Sequence, residues 1–379
     1  MNKILFINNY LSGLLHFRMD VMKHLQGHGY EIVAVVPLAD KGPEKVEGIR
    51  VEYVEFNRTS TNPYHDLRFM WQLLKLFRRE RPQYAFLFTI KPNIYGTFAA
   101  KLCGVPSSMM MAGLGYTFTN NHLPSRIARA LYRIALHFSD KLMLLNEDNV
   151  KTILNKKMCA QDKIVHLKGG EGVNLSRYEF CSNESEKVKF LFVGRLLKEK
   201  GIFDFVEAAS LVKSDFPDAE FQIAGGLDKD FPDSMSQQEL DELISSGVVN
   251  YLGSIDMVEK LQESGIVITI PSYYSEGLNR SLMEGCAAGK PIITSVQPGC
   301  RETVIDGQNG YLVPIKQPRR LAEALIKYID LNPDEKKRMS LESRKLAEER
   351  FNVQHVLRVY DDILEAARQR SGGAVVDNV

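Results

Sequence analysis

Short apolar segments alternate with amphipathic helical segments along the whole chain. The apolar segments are rich in Val, Ile, Leu and Phe, which predicts strands buried on both faces of a sheet. They span 3–9, 30–37, 51–56, 85–90, 107–112, 141–146 and 164–168 in the first half, and 188–193, 219–226, 248–253, 265–271, 291–295 and 311–314 in the second. Because strands that alternate with helices join through right-handed crossovers, the pattern predicts parallel α/β sheets.

The alternation is interrupted by the polar, irregular segment CSNESEK at 181–187. Such a segment is typical of a domain boundary, which we place near residue 182. A chain of 379 residues is long enough for two such domains. We therefore predict two doubly wound, Rossmann-like domains, 1–182 and 183–352, followed by a final helix at 353–370.

Composition is that of an ordinary globular protein, with 44% hydrophobic and 25% charged residues. No apolar run approaches the roughly 18 residues that a membrane-spanning helix needs. The first residues, MNKILFINNY, fit a strand better than a signal peptide. Five scattered cysteines form no CxxC pair, which favours reduced thiols and a cytoplasmic location.

Charge is distributed unevenly, although the net charge is only +1. Residues 1–180 contain 24 Lys+Arg and 15 Asp+Glu, whereas the remainder contains 24 and 32, so the two parts carry +9 and −8. A basic half suggests an anionic partner: a nucleic acid, an anionic membrane surface or a lipid diphosphate. Nucleic acid is disfavoured, because the basic residues are not interleaved with aromatic side chains on which bases could stack.

Two helical segments in the basic half combine arginines with apolar residues. In 123–138, Arg126, Arg129 and Arg133 recur at helical spacing beside a separate apolar face, and a similar patch surrounds Trp71. Such helices can lie on an anionic membrane surface. Most amphipathic helices pack on their own sheet instead, and the sequence leaves both interpretations open.

Candidate chemistry is concentrated where the strand 265–271 meets the helix that follows it. Asn279 suits the N-cap of this helix, and Gly289 suits its left-handed C′ position. Free amide groups at Gly277, Leu278 and Asn279 would then point out of the helix N-terminus. That arrangement favours an anion such as a phosphate.

Two glutamates bracket this anion site, Glu276 in the turn and Glu284 on the second helical turn. A carboxylate beside a phosphate cannot serve to bind the phosphate, but it accepts hydrogen bonds from sugar hydroxyls. The pattern predicts a ligand with a diphosphate in the middle and hydroxyl-bearing rings on both sides. Solvated glutamates in a purely structural unit are the alternative, since a single spaced pair is a weak motif.

Two cations follow the first strand of the second domain. Arg195 comes directly after Gly194, and Lys200 precedes the next helix. Arginine offers a planar fork and lysine a point charge, so together they suit a diphosphate. The alternative is a solvated charge cluster with Lys198 and Glu199.

The motifs G-R-x4-K-G at 194–201 and E-x7-E at 276–284 resemble the signature of the retaining glycosyltransferases of family 4. The resemblance covers nearly the whole chain and is more specific in the second domain than in the first. It implies the GT-B fold, in which two Rossmann-like domains face a central cleft. It also implies that the helix at 353–370 crosses back to the first domain.

The resemblance implies a role for each site residue of the second domain. Arg195, Lys200 and Glu276 would be the catalytic residues, with the two cations on the donor diphosphate and Glu276 on the donor sugar. Glu284 would hold the ribose hydroxyls. The donor-binding set is completed by Gly13, Gly194, Gly277, Leu278 and Asn279.

Acceptor-side residues are implied in the first domain. His16 and Arg18 follow the loop expected at Gly13, and capping or surface roles on their helix are the alternative. Gly113 and Gly115 belong to GLGYTF, a string similar to bacterial transferases that build capsule and O-antigen repeat units. Within that group, the chain resembles N-acetylgalactosaminyltransferases acting on undecaprenyl-diphosphate-linked sugars. Ala112 stands where related enzymes can carry a glutamate, so no catalytic base is assigned there.

We therefore predict a retaining enzyme that transfers a hexose or N-acetylhexosamine from a UDP-sugar to a hydroxyl of a lipid-diphosphate-linked saccharide, in bacterial surface polysaccharide synthesis. The resemblance implies no cofactor and no obligatory metal, and we expect a peripheral protein on the inner face of the cell membrane. Two alternatives stay open: a GT-B sugar-nucleotide epimerase, and a non-catalytic scaffold of a polysaccharide assembly complex. The sequence does not identify the donor sugar, the acceptor or the linkage.

Overall fold

The computed structural model describes residues 2–57, 62–114, 118, 122–228, 231 and 233–372, and side chains as far as residue 370. The chain divides into two compact units. Unit 1 comprises the residues up to Glu171 together with those from Val353 onward, and unit 2 comprises Gly172–Asn352.

Unit 1 is built on an eight-stranded sheet. Its strands are β1 Lys3–Ile7, β2 Glu31–Pro37, β3 Lys45–Val46, β4 Ile49–Val54, β5 Tyr84–Phe88, β6 Ser107–Met111, β7 Lys141–Leu144 and β8 Ile164–His166. They pair in the order β3-β4-β2-β1-β5-β6-β7-β8, and every pair is parallel except β3 with β4.

Helices cover both faces of this sheet. They are α1 Leu11–Gly27, α2 Pro63–Glu80, α3 Thr97–Leu102, α4 Leu123–Phe138 and α5 Glu147–Asn155. Alternate residues of β1 show the two layers: Ile4 and Phe6 join the core that includes α1, whereas Leu5 and Ile7 join the core that includes α2 and α3. Because both faces are covered, inner strands such as β1 lack a polar side.

The first helix begins earlier than the pattern predicts. A loop is expected at Gly13, but α1 begins at Leu11 and contains Gly13 in its first turn. The reason is a cap from a distant segment, since the Leu11 amide donates to the Asp40 carboxylate at 3.0 Å. A Cβ at Gly13 would lie 2.3 Å from the Tyr10 ring, so a larger residue would force that side chain to move.

Unit 2 is built on a six-stranded sheet in which every pair is parallel. Its strands are β9 Lys189–Val193, β10 Glu220–Ala224, β11 Asn250–Gly253, β12 Ile266–Ile270, β13 Ile292–Ser295 and β14 Gly310–Val313. They pair in the order β11-β10-β9-β12-β13-β14. The order reverses between β9 and β12, as in doubly wound nucleotide-binding folds.

The helices of unit 2 are α6 Ile202–Lys213, α7 Gln237–Ser245, α8 Met257–Lys260, α9 Arg280–Ala287, α10 Pro318–Ile329 and α11 Pro333–Leu346. The limits predicted for α9 are confirmed. Asn279 is its N-cap, and Gly289 beyond its C-terminus is left-handed, with φ +77°. Two Rossmann-like units with largely parallel sheets confirm the predicted fold class.

The last helix, α12 Val353–Gly372, belongs to unit 1. Its Tyr360 ring lies 4.6 Å from that of Phe86 in the core of unit 1. The boundary predicted near residue 182 lies inside unit 2. The segment before it bonds within that unit, where Val173 N donates to Phe351 O at 2.6 Å and Cys181 N donates to Ala288 O at 3.0 Å.

Candidate active site

The candidate residues of unit 2 lie at the carboxyl edge of its sheet, where the strand order reverses. β9 leads into the loop 194–201, and β12 leads into the turn 271–279. Because β9 and β12 are neighbours in the sheet, the two segments emerge side by side. Ligands of open α/β sheets bind in the crevice beside such a reversal.

The two segments contact each other through Gly201. This residue is left-handed, with φ +78°, and a Cβ there would lie 2.3 Å from the Pro271 carbonyl oxygen. Only glycine allows so close an approach of two backbones. Lys200, the preceding residue, is thereby held beside the turn that carries Glu276.

Lys200 and Glu276 form a largely enclosed ion pair. Lys200 Nζ lies 3.2 Å from Glu276 Oε1, and the two side chains are only 13% and 12% exposed. The same carboxylate oxygen accepts hydrogen bonds from Ser272 Oγ at 3.4 Å and Asn279 Nδ2 at 3.2 Å. The structure thus brings one residue from each motif into a single fixed arrangement.

The N-terminal end of α9 differs in one respect from the prediction. The Asn279 side chain accepts from Leu282 N at 3.2 Å, as an N-cap should. The backbone N–H of Asn279, however, donates to the Gly299 carbonyl oxygen at 2.8 Å. The Asn279 amide is therefore not free for an anion, because the segment after β13 folds over the turn.

Glycine is again the residue that permits this contact. Gly299 has φ +92°, and a Cβ there would lie 2.9 Å from the Gly277 carbonyl oxygen. Leu278, between Gly277 and the cap, is buried. These backbone approaches were beyond sequence reasoning, since no motif links residues 277 and 299.

Glu284 lies on α9 and is only 2% exposed. Arg280 Nε donates to Glu284 Oε1 at 2.9 Å, and the Arg280 guanidinium also donates to the Gly172 carbonyl. Burial, with the charge of Glu284 beside it, raises the pKa of the Tyr178 phenol, which hydrogen-bonds to Glu284. The second glutamate of the motif is therefore held by an arginine and a tyrosine.

Arg195 has a different partner from Lys200. Its guanidinium donates to Asp228 Oδ2 at 2.8 Å and is about half exposed. It also lies 5.2 Å from the centre of the Phe231 ring. The structure does not show Arg195 in the Lys200–Glu276 arrangement. Gly194, before it, has φ +147° and lies against the backbone of Gly225, where a Cβ would meet Gly194 O at 1.8 Å.

Acidic side chains surround the loop that carries Lys200. Burial and the nearby Asp233 raise the pKa of Glu199, and burial and Glu207 raise the pKa of Asp204. Lys316 opposes both shifts. Asp233 and Lys316 come from separate parts of the sequence, so only the structure reveals that they lie near Glu199.

The candidates of unit 1 do not form one cluster. Arg18 is buried, and its guanidinium donates to Gly13 O at 3.1 Å and to Glu171 Oε1 at 2.9 Å. It also stacks on the Phe88 ring at 4.2 Å. His16 is exposed, and its ring meets that of Phe17 edge-on.

Of the two glycines after β6, only Gly113 can be placed. It is partly exposed and lies two residues after the end of β6. Gly115 lies outside the described residues. Of the predicted acceptor-side residues, the structure thus describes His16, Arg18 and Gly113.

Each half of the sequence matches a known family. Residues 3–146 match the family described as Glycosyl transferase 4-like, and residues 179–346 match Glycosyl transferases group 1. Fold and sequence together define a glycosyltransferase of the GT-B class. The chain belongs to the group 1 glycosyltransferases with a 4-like N-terminal domain.

One relative matches over almost its full length. The chain is 28% identical over 389 residues to the N,N'-diacetylbacillosaminyl-diphospho-undecaprenol alpha-1,3-N-acetylgalactosaminyltransferase of Campylobacter jejuni, with 96% of this chain and 99% of that protein covered.

Two solved structures share the fold. Sucrose-phosphate synthase of Thermosynechococcus elongatus has a TM-score of 0.81 at 17% identity, covering 97% of this chain and 100% of that one. HepE of Anabaena, solved in complex with UDP, has a TM-score of 0.78 at 15% identity, with 97% and 100% covered. At these identities the likeness shows the fold alone.

Proposed function

We propose that the chain is a retaining glycosyltransferase that moves a sugar from a UDP-sugar to a hydroxyl of a lipid-diphosphate-linked saccharide. The observation that carries the proposal is the Lys200–Glu276 pair beside the reversal of the unit 2 sheet. It places a cation suited to a diphosphate next to a carboxylate suited to sugar hydroxyls. A bacterial surface polysaccharide or glycan is the product class that we infer.

The reaction requires stabilisation of a leaving diphosphate. Negative charge develops there as the bond to the anomeric carbon breaks. Lys200, Arg195 and the N-terminal end of α9 supply positive potential, which acts most strongly in the transition state. Glu276 orients the donor sugar. The donor phosphate helps to take the acceptor proton during attack on the same face, and the scheme uses no cofactor and no obligatory metal.

Donor binding rearranges the two cations to different extents. Arg195 must leave Asp228, but a half-exposed pair of this kind contributes little stability, so the exchange costs little. Lys200 carries three donor hydrogens and can keep Glu276 while it turns another hydrogen toward a phosphate oxygen.

Glu284 is assigned to the ribose. Its carboxylate accepts from Arg280 and Tyr178. A carboxylate offers about four lone-pair sites, so it retains acceptor capacity for ribose hydroxyls. Arg280 balances its charge and fixes its orientation.

Similar proteins support the choice of donor and acceptor. HepE was solved with UDP bound, and the name of the Campylobacter jejuni relative describes transfer of N-acetylgalactosamine to a diphospho-undecaprenol-linked sugar. A UDP-sugar donor and a lipid-diphosphate acceptor follow by analogy.

Peripheral binding to the cytoplasmic face of an anionic membrane is part of the proposal. The outward face of α4 carries apolar side chains at i, i+4, i+11 and i+15, which is one side of a helix. All four are exposed: Leu123, Ile127, Ile134 and Phe138. Within the described residues, no helix has the length and apolar character needed to cross a bilayer.

Basic residues lie beside this apolar face. Arg126, Arg129 and Arg133 of α4 line a cavity of about 330 Å³ together with Lys156. A second exposed surface on α2 includes Trp71, whose ring lies 3.3 Å from Lys75 Nζ. A surface that combines apolar and basic side chains suits the boundary between acyl chains and anionic headgroups.

Titration calorimetry with UDP tests the donor site. We expect saturable binding to the wild type and much weaker binding to Lys200→Ala and to Glu284→Ala. Loss of a charge-assisted hydrogen bond should weaken binding roughly 10- to 150-fold. Lys198→Ala is the matched control, because Lys198 lies in the same loop and pairs with Glu239 at the surface.

The outcomes separate the alternatives. Binding of another nucleotide in place of UDP would change the donor and keep the enzyme class. Conversion of a UDP-sugar without any acceptor would indicate an epimerase, and a β-product from an α-linked donor, seen by NMR, would exclude retention. No nucleotide binding by folded protein would overturn the transferase and leave the scaffold.

A further inference from the structure

Three potential metal ligands converge in unit 1, at the end of α1 remote from Gly13. His24 lies in the last turn of α1, His28 is its C-cap residue, and Asp361 lies on α12. One ligand atom from each residue lies within 4.8 Å of the other two. Across the part of the chain that the structure describes, no other group of His, Cys, Asp and Glu meets this spacing.

The hydrogen bond of the His28 ring suits a metal ligand. His28 Nδ1 lies 2.9 Å from the His24 carbonyl oxygen. A carbonyl can only accept, so Nδ1 of the neutral ring carries the proton and Nε2 keeps its lone pair. A backbone carbonyl that fixes the ring in this way is the usual outer partner of a metal-binding histidine.

His24 and Asp361 already face each other. His24 Nε2 lies 2.8 Å from Asp361 Oδ2, and without a metal a proton on Nε2 bridges the two. A divalent cation can take the place of that proton, which is released or moves to Nδ1 of the same ring.

The distances require only small adjustments. With metal–ligand bonds of about 2.1 Å, two ligand atoms of a tetrahedral site lie roughly 3.4 Å apart. The distance of 2.8 Å between His24 Nε2 and Asp361 Oδ2 is shorter than this separation. The 4.8 Å within which all three ligand atoms lie is longer. His24 and Asp361 are 22% and 43% exposed, and His28 is exposed, so their side chains have room to turn.

We propose that His24, His28 and Asp361 bind a divalent transition-metal ion of the Zn²⁺ class and so fasten α12 to α1. Two imidazoles and one carboxylate suit Zn²⁺, Co²⁺ and Ni²⁺ rather than Mg²⁺ or Ca²⁺, which prefer oxygen ligands. Three protein ligands leave a fourth position for water on the exposed side. The role is structural and is independent of the sugar-transfer proposal.

The stability of the C-terminal helix α12 then depends on whether the metal ion is bound. α12 packs into the unit 1 core through apolar residues such as Tyr360 and Ile363. A metal that joins His24 and His28 to Asp361 adds a crosslink between two helices that are far apart in sequence. It binds the folded protein only, so it stabilises that state by mass action.

Tag-free protein, stripped of metal with a chelator, provides the test. Co²⁺ is added while its visible absorption is followed, and Zn²⁺ is added in calorimetry and in thermal unfolding. We expect one equivalent to bind and the unfolding temperature to rise. His28→Ala and Asp361→Asn should weaken binding at least about tenfold and abolish the rise.

His355→Ala is the matched control, because His355 is an exposed histidine on α12 outside the group. It should bind Co²⁺ like the wild type. Asp361→Asn can still accept a hydrogen bond from His24, so its fold is maintained while its ligand is weakened. Absence of Co²⁺ absorption in the wild type, or equal binding by His28→Ala and Asp361→Asn, would overturn the proposal and leave an ordinary His24–Asp361 pair.

Discussion

Glu284 is enclosed by partners whose identity the glutamate motif does not specify. A nearly buried carboxylate needs a cation and hydrogen-bond donors, because an uncompensated buried charge is strongly destabilising. Arg280, one helical turn before it, supplies the cation and is itself anchored to the Gly172 carbonyl. Arg280 is therefore a positioning residue for Glu284.

Arg280 should consequently affect donor affinity without touching the donor. Arg280→Lys keeps the charge but loses the fork, so it can serve Glu284 or the Gly172 carbonyl and not both. We expect a folded variant with roughly tenfold weaker UDP binding in calorimetry. Arg280→Ala leaves the carboxylate uncompensated and should cost about 3–5 kcal/mol in urea unfolding.

A surface pair provides the control for Arg280. Arg320 and Glu323 form an exposed pair on α10, and exposed pairs contribute about 0–1 kcal/mol. Arg320→Lys should change neither UDP affinity nor stability. Equal UDP binding by Arg280→Lys and the wild type would contradict the positioning role.

Single residues also show what sequence could and could not predict. Lys200 and Glu276 were predictable because each lies in a recognisable local motif. The Arg280–Glu284 contact has i, i+4 spacing on a helix, so it could in principle have been predicted from the sequence. Gly13 was placed in a loop because the Asp40 cap on the Leu11 amide comes from a distant segment, and the Asn279 backbone amide was taken as free because its acceptor, Gly299 O, is equally distant.

Among the secondary-structure elements, α4 shows that an apolar pattern can predict a helix correctly without showing what the apolar face of that helix contacts. The spacing of apolar residues predicted the helix, and the structure confirms its limits. The same spacing was compatible with packing on the sheet. Exposure of Ile127 and Ile134 in the structure favours an additional partner for this face.

We expect α4 to contribute to binding of vesicles that contain anionic phospholipid. Burial of one isoleucine contributes roughly 1.5–3 kcal/mol, so Ile127→Ser combined with Ile134→Ser should reduce binding at least about tenfold at any salt concentration. Arg126→Gln should reduce it roughly fivefold at low salt and less at high salt, since that contribution is electrostatic. Cosedimentation measures both.

An exposed leucine elsewhere controls for general effects of removing apolar surface. Leu341→Ser on α11 of unit 2 should bind vesicles like the wild type. If the α4 variants also bind like the wild type, the face has another partner and the membrane proposal fails.

At the scale of the whole molecule, the two units have separate hydrophobic cores. Each sheet is covered by helices of its own unit, and the candidate donor residues 194–284 lie in unit 2, whereas Gly13 lies in unit 1. An ion-pair network instead links elements of unit 1. Glu80 at the end of α2 accepts hydrogen bonds from Lys3 on β1 and Arg50 on β4.

This network makes the stability of unit 1 depend on pH. Burial opposes ionisation of Glu80, but hydrogen bonds from Arg50, Lys3 and Arg79 outweigh it and lower the pKa of Glu80 from 4.5 to about 2. A carboxyl whose pKa is depressed by folding stabilises the native state above its unfolded pKa. We therefore expect this stabilisation to be complete above about pH 4.5 and to disappear as the pH falls toward 2.

Glu80→Gln should remove that dependence. At neutral pH it should lower the free energy of unfolding by about 1–2 kcal/mol, because solvent screens the partly exposed arginines and reduces the full effect of the shift. Near pH 2 the variant and the wild type should converge. Urea unfolding at several pH values measures this through Trp71, the single tryptophan, which shares α2 with Glu80. UDP affinity at neutral pH should be unchanged, since the candidate donor residues 194–284 belong to the other unit. A constant stability difference from neutral to acid pH would contradict the assignment.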